Sequence, residues 1–163
     1  MDWQIEAFAG KKPEYYKEKW AKKFSINWAG FFFTWLWFFH RKMYREAIIT
    51  AGAFFAVRMV LELLGPGWEP LVWVGSGPVF SVGIGQAWVS LLLRGGIGAY
   101  SNIFYRDKFV RALKKSEGME REAREQYLSQ NGGVSPAWKT IVFFWVSFTL
   151  AVIVNSIINS LLQ

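Results

Sequence analysis

Cysteine is absent from this chain of 163 residues, and histidine occurs once, as His40. The first absence excludes disulfides, thiolate metal sites and a cysteine nucleophile. A single histidine excludes a multi-histidine metal centre and a catalytic triad. We therefore assign no catalytic, cofactor-binding or metal-binding residues and expect a protein that is not an enzyme.

Apolar residues are abundant instead. Hydrophobic types make up 53% of the chain and aromatic types 19%, which is more apolar surface than one small soluble core can bury. Three apolar runs, at residues 47–64, 71–93 and 141–162, have about the 20-residue length that a bilayer-spanning helix needs. The sequence predicts an all-α integral membrane protein with three transmembrane helices.

A fourth apolar run, residues 28–39, is too short to span. Its twelve residues carry no charge, yet as a helix they would cover only about 18 Å. Lysines precede the run and Arg41, Lys42 and Arg45 follow it. Because Lys and Arg collect on the cytoplasmic side, both flanks belong there. We expect a short re-entrant or interfacial helix, without choosing between the two.

Charge also predicts the orientation of the whole chain. The connection at 65–70 has no Lys or Arg, whereas the loop at 94–139 has nine. The rule that places positive residues inside therefore predicts a cytoplasmic N-terminus, a cytoplasmic loop and a C-terminus outside. The chain divides into a basic amphipathic segment, 1–27, and one membrane domain, 28–163.

The basic segments contain helical patterns. Tyr16, Trp20 and Phe24 recur every four residues among lysines, which is typical of an amphipathic helix. Such a helix can lie on an anionic membrane face or pack on the protein's own cytoplasmic loop, and both readings stay open. A second basic helix is predicted over 105–115. Ser135 and Pro136 predict the N-cap and first residue of the last span.

Two motifs resemble a known family. "SINWAGFFFTWLWFFHRKMYREA" at 25–47 and "GAYSNIFYRDKFVRALKK" at 98–115 are similar to segments of small bacterial inner-membrane proteins classed as domain of unknown function 2628. The resemblance covers roughly residues 15–115, with Ser101 where the family pattern has Ala before Asn102. It implies a bacterial, inner-membrane and uncharacterised protein, and it carries over no catalytic residues.

One pair of charges falls inside a predicted span. Arg58 and Glu62 are four residues apart, so they share one helical face within ion-pair reach. Charges at membrane depth are costly and frequently functional. The pair can lock helices together or dock a partner, or it can line a proton or ion pathway.

A short internal echo lies at the predicted membrane rim. "MYRE" at 43–46 and "FYRD" at 104–107 both place Tyr, Arg and an acid together, as Tyr44, Arg45, Glu46, Tyr105, Arg106 and Asp107. Ion pairs from Arg45 to Asp107 and from Arg106 to Glu46 would staple the two segments. Alternatively, the arginines hold lipid phosphates, or the echo is a coincidence.

Small residues recur in the third apolar segment. Gly77, Ser81 and Gly85 are spaced by four, which lets another helix approach closely. The partner helix can belong to this chain or to another subunit.

These observations favour an accessory or scaffold subunit of a larger bacterial inner-membrane complex. Its expected partners are anionic lipid headgroups at the cytoplasmic face and other membrane proteins. Nucleic acid is not expected, because the lysines lie beside membrane segments. The alternative is a small oligomeric transporter, channel or lipid-handling protein that uses Arg58 and Glu62.

Overall fold

A computed structural model describes residues 2–22, 24–63 and 84–161, and these residues form helices without any strand. The all-α prediction is confirmed for this part of the chain. The helices are α1 (Asp2–Ala9), α2 (Pro13–Ala21), α3 (Trp28–Phe33), α4 (Trp35–His40), α5 (Tyr44–Leu63), α6 (Ile84–Lys115), α7 (Arg121–Asn131) and α8 (Ala137–Leu161).

The core is centred on an aromatic cluster formed by α1, α2 and the second half of α6, and buried residues of α4, α5 and α7 extend it. The ring of Tyr105 lies 5.3 Å from that of Phe8 and 5.0 Å from that of Tyr16, centroid to centroid. Trp20 stacks on Phe109 at 5.1 Å. Buried aromatic side chains dominate core energetics, and tilted pairs at these distances are favourable.

This cluster decides between the two interpretations of the N-terminal pattern. Tyr16 is buried and Trp20 is packed against the core, so the aromatic face of α2 covers α6 and not a membrane surface. Phe24 lies beyond Ala21, where α2 ends, and it is exposed. The four-residue spacing therefore correctly predicted helical core-facing positions for Tyr16 and Trp20, but not for Phe24.

The run predicted as one short helix is instead two helices joined at Thr34. Asn27 caps α3, since its Oδ1 accepts a hydrogen bond from the Gly30 amide at 3.0 Å. Thr34 has φ 45° and ψ −115°, which a β-branched residue rarely adopts. The break allows α3 to pack on α6 while α4 packs on α5 and α8.

Three long helices extend from the base of the fold, which is formed by α3, α4 and the aromatic cluster. α5 has 20 residues, α6 has 32 and α8 has 25, giving lengths of about 30, 48 and 38 Å. α6 passes from the end of the predicted span, residue 93, through the predicted basic helix without interruption. Residues 64–83, with most of the span predicted at 71–93, lie outside the described residues.

Only α8 combines the length and composition of a membrane span within the described ranges. Its window Ala137–Val154 is apolar, and 6% of it is buried inside the protein. Of the three predicted transmembrane helices, one is therefore supported by these measures.

The link between α7 and α8 fastens both helices to the rest of the fold. The Gly133 amide donates to the Phe8 carbonyl at 2.6 Å, and the Ser135 amide donates to the His40 carbonyl at 2.7 Å. The Ser135 hydroxyl donates to the Phe39 carbonyl at 3.2 Å. Ser135 thus donates hydrogen bonds to carbonyls at the end of α4. This role was not part of the prediction, which gave Ser135 only as the N-cap of α8.

Candidate functional site

The residues of the predicted rim staple are separated by the fold. Glu46 lies 3.7 Å from Arg111, measured between carboxylate and guanidinium atoms. Among the residues the structure describes, neither Arg45 with Asp107 nor Arg106 with Glu46 forms an ion pair within 4.0 Å.

The two tyrosines of the echo also have different surroundings. Tyr105 is fully buried, whereas Tyr44 is exposed and its hydroxyl lies 3.1 Å from Ser135 Oγ. The two similar motifs therefore do not form similar sites.

The other predicted residues are only partly described. Arg58 and Glu62 both lie on the helical backbone of α5, but their side chains are outside the described part, so their pairing stays a prediction. Gly77 and Ser81 lie outside the described residues as well. Gly85 belongs to the first turn of α6.

The most concentrated chemistry lies at the turn between α4 and α5, residues 41–43. The guanidinium carbon of Arg41 is 4.9 Å from the Tyr16 ring centroid and 5.3 Å from that of Tyr105. Both distances are within the range of cation–π attraction. The basic residue that follows the apolar run is therefore part of the aromatic core.

A lysine from α6 completes this turn. Lys108 Nζ donates hydrogen bonds to the carbonyls of Arg41 at 3.0 Å and Lys42 at 3.1 Å. These carbonyls directly follow the end of α4 at His40, and a positive charge is favourable at the C-terminus of a helix. Lys42 has φ 56°, and its Nζ donates to the Gln130 carbonyl at 2.8 Å. The turn is thus tied to α6 and to the end of α7.

Burial and like charges act together on Lys108. Burial lowers the pKa of its amine to about 8, with a further lowering by Lys42 and other neighbouring cations that Glu46 opposes. Burial also raises the pKa of Tyr105, against the effect of Arg41. The phenol therefore stays neutral near pH 7 and gives the cations no counter-charge.

The two motifs of the family resemblance meet in a buried hydrogen-bond network. Asn27 Nδ2 donates to Asn102 Oδ1 at 2.9 Å. Asn102 Nδ2 donates to Ser25 Oγ at 3.0 Å and to the Ser25 carbonyl at 3.3 Å. All three residues are buried. Since buried polar groups require partners, this network fixes α3 against α6.

Small residues allow the close approach that the network needs. A Cβ added at Gly30 would lie 2.9 Å from Ser101 Cβ and nearer still to its hydroxyl oxygen, and one added at Gly98 would lie 2.9 Å from Phe31 Cβ. Close packing through small residues was predicted for Gly77, Ser81 and Gly85. In the described residues it occurs later on α6.

Sequence reasoning missed Arg41, Lys108 and Asn27 as a group. The charges at 41 and 108 were counted only for orientation, and Asn27 appeared only as a letter in the family motif. A positive residue directly after an aromatic run, facing an aromatic helix rich in tyrosine, was the available signal for Arg41. No cluster of three or more His, Cys, Asp or Glu suited to a metal occurs among the described residues.

The described residues form an all-helical fold. Its long apolar helices extend from a base that is rich in aromatic and basic side chains. The chain belongs to the family described as Protein of unknown function (DUF2628), whose model matches residues 7–111. The match runs from α1 into the last turns of α6, and it contains the first motif and residues 98–111 of the second. No curated protein and no solved structure matches the chain.

Proposed function

We propose that this protein is a non-enzymatic, multi-pass protein of the bacterial inner membrane, and that it is an accessory subunit of a larger complex. In this proposal α5, the segment 71–93 leading into α6, and α8 cross the bilayer. The helices α3 and α4 are re-entrant or lie in the membrane interface, and they do not cross the bilayer. The N-terminus lies in the cytoplasm and the C-terminus outside.

The exposure of large apolar side chains supports the proposed membrane location. Leu92 on α6 is 73% exposed, Ile48 on α5 is 64% exposed and Trp145 on α8 is 58% exposed. Exposed apolar patches of this extent are rare on soluble monomers and mark lipid or protein contacts. On α8 the exposed apolar side chains occur on all sides of the helix between Ile141 and Ile157. A helix that is apolar all round is typical of a membrane span.

The arrangement of the long helices supports the accessory role. Packing is concentrated at the base, where α3 contacts α6 and α4 contacts α5 and α8. Within the described ranges α8 has no extended packing on α5 or α6. Helices that are held at one end leave apolar faces on which membrane partners can pack through van der Waals contact.

The absence of cysteine makes the topology directly testable. Single substitutions Ser129→Cys on α7 and Ser160→Cys near the end of α8 introduce exposed thiols on a cysteine-free background, and Ser116→Cys introduces a buried one. A membrane-impermeant maleimide should label Cys at 160 in intact cells and Cys at 129 only after lysis. The buried thiol should react only after denaturation. Labelling of Cys at 129 in intact cells contradicts the orientation.

The accessory role is tested by extraction of native membranes with a mild detergent. Native gel separation and mass spectrometry should find the chain in stoichiometric amounts within a larger complex. A chain that migrates alone or as a small homo-oligomer contradicts this role. That result favours the transporter alternative, for which flux assays on Arg58→Leu with Glu62→Leu are the next measurement.

A further inference from the structure

Arg41 is a half-buried cation without a counter-ion in the described structure. The rings of Tyr16 and Tyr105 lie on one side of its guanidinium, since their centroids are only 5.0 Å apart. No carboxylate of the described residues lies within 4.0 Å of Arg41. Cation–π contact stabilises such a charge by only about 0.5–2 kcal/mol. A guanidinium that no carboxylate neutralises is suited to bidentate contact with an anion along its edge.

Unsatisfied donors surround this guanidinium. Arg41 Nε, the Tyr105 hydroxyl and Trp20 Nε1 are all buried without a hydrogen-bond partner. Their side chains are neighbours, because Arg41 lies over the Tyr105 ring and the rings of Trp20 and Tyr105 are 5.8 Å apart. Buried donors are paired in the great majority of cases, so a group of three that lacks acceptors requires an explanation.

The electrostatic surroundings favour a negatively charged acceptor. The Lys108 amine donates to the backbone carbonyls of Arg41 and Lys42 at this turn, and the Lys42 amine donates to the Gln130 carbonyl. The nearest acid of the turn, Glu46, lies 3.7 Å from Arg111. The Tyr105 hydroxyl remains neutral, as described above, because burial raises its pKa. Three cations and three unsatisfied donors therefore lie close together, and no carboxylate of the described residues lies within 4.0 Å of Arg41.

We infer that the turn at Arg41 binds a phosphate group, with Arg41 as the bidentate ligand and Lys42, Lys108 and the Tyr105 hydroxyl beside it. Guanidinium matches phosphate geometrically and in charge. The phosphate can belong to an anionic lipid headgroup or to a soluble phosphate. The lipid source rests on the proposed membrane location, whereas phosphate binding itself does not.

The test uses the purified full-length protein in dodecyl maltoside. Inorganic phosphate is titrated against chloride at equal ionic strength, and the melting temperature is followed by tryptophan fluorescence. In parallel, native mass spectrometry measures retention of phosphatidylglycerol and phosphatidylcholine from an equimolar mixture. Selective retention of phosphatidylglycerol alone identifies the lipid headgroup as the source. A stabilising effect of inorganic phosphate identifies the soluble anion.

Two arginine variants give the comparison. Arg41→Gln should weaken the effective ligand about tenfold or more, the loss expected for one charge-assisted contact. Arg45→Gln removes the same charge four residues away, from an exposed position, and should change binding less than about twofold because exposed charges contribute little. Equal binding by wild type and Arg41→Gln, an equal loss in Arg45→Gln, or no binding of either ligand overturns the inference.

A third variant keeps the test decisive if Arg41→Gln does not fold. Tyr105→Phe retains the buried ring and removes only the unsatisfied hydroxyl, so stability without ligand should not fall. It should weaken phosphate or phosphatidylglycerol binding about tenfold or more, as expected for one hydrogen bond to a charged group. Unchanged affinity in this variant overturns the inference. Since each measurement uses the isolated chain, failure to find a native complex would contradict only the proposed accessory role.

Discussion

Replacing Asn102 with alanine should destabilise the protein more than any comparable substitution at its surface. Asn102 accepts a hydrogen bond from Asn27 Nδ2 at 2.9 Å and donates to the side chain and carbonyl of Ser25. Asn102→Ala leaves the Asn27 amide group and the Ser25 carbonyl buried without this partner. Each of these two groups costs about 1–3 kcal/mol, so the free energy of unfolding should fall by about 2–6 kcal/mol.

The magnitude separates this network from an ordinary contact between membrane helices. Side-chain hydrogen bonds between such helices average about 0.6 kcal/mol. Asn102 is expected to exceed that value because both asparagines are only 2% exposed. The free energy is measured by titrating dodecyl sulfate into dodecyl maltoside micelles, with the fluorescence of the ten tryptophans as the signal.

Two comparisons make the result interpretable. Asn131→Ala removes the same group from the end of α7, where its amide donates to the Tyr127 carbonyl four residues earlier, and should cost less than about 1 kcal/mol. The double variant Asn27→Ala with Asn102→Ala should cost about 1 kcal/mol less than the sum of the single variants. Additive losses, or equal losses at 102 and 131, would refute the network as the link between α3 and α6.

Three further predictions concern packing and pH. Gly30→Ala should cost about 1–3 kcal/mol by overpacking against Ser101, whereas Gly52→Ala, with nothing within 4 Å of the added Cβ, should stabilise α5 by up to about 1 kcal/mol; equal effects in the same titration contradict this. The pKa of Lys108 is lowered from 10.5 to about 8, so the unfolded chain binds more protons between these values and stability should rise with pH from 8 towards 10; Lys108→Met should flatten that rise in melting temperature. Burial and Arg41 lower the pKa of His40 below 6.5, so stability should fall as pH falls below 6.5; a His40→Gln variant with an unchanged pH profile contradicts this.

Local patterns predicted the elements whose causes are local. The four-residue spacing of Tyr16 and Trp20 correctly predicted a helix with an aromatic face. The charge-free run from 141 to 162 likewise predicted α8. These signals are reliable because the hydrophobic period is a property of the helix itself.

The break at Thr34 could not be predicted in this way. Residues 31–39 contain neither glycine nor proline, the usual signals for a helix end. The break follows from tertiary contacts, because α3 is held by Asn27 and Gly30 against α6 while α4 turns towards α5 and α8. A residue with an unfavourable φ persists where the surrounding structure determines it.

The rim staple illustrates a second limit. The echo of "MYRE" and "FYRD" located two segments that do approach each other, since Glu46 lies near α6. The partner is Arg111, which follows Asp107 by four residues, or one helical turn. The longitudinal position of one helix on another depends on side-chain packing along the whole contact, which a motif of four residues does not contain.

The basic residues after the aromatic run have two separable roles. Orientation depends on how many positive charges remain on the cytoplasmic side, so Arg45→Gln and Lys108→Met should have equal effects on labelling of a thiol at position 129. Stability depends on the contacts of each residue. Lys108 donates to the carbonyls of Arg41 and Lys42 in the turn after α4, whereas Arg45 is exposed. Lys108→Met should therefore cost about 1–3 kcal/mol and Arg45→Gln less than about 0.5 kcal/mol in the dodecyl sulfate titration. Equal stability losses would mean that the turn at Arg41 contributes charge alone and that Lys108 does not hold α4 to α6.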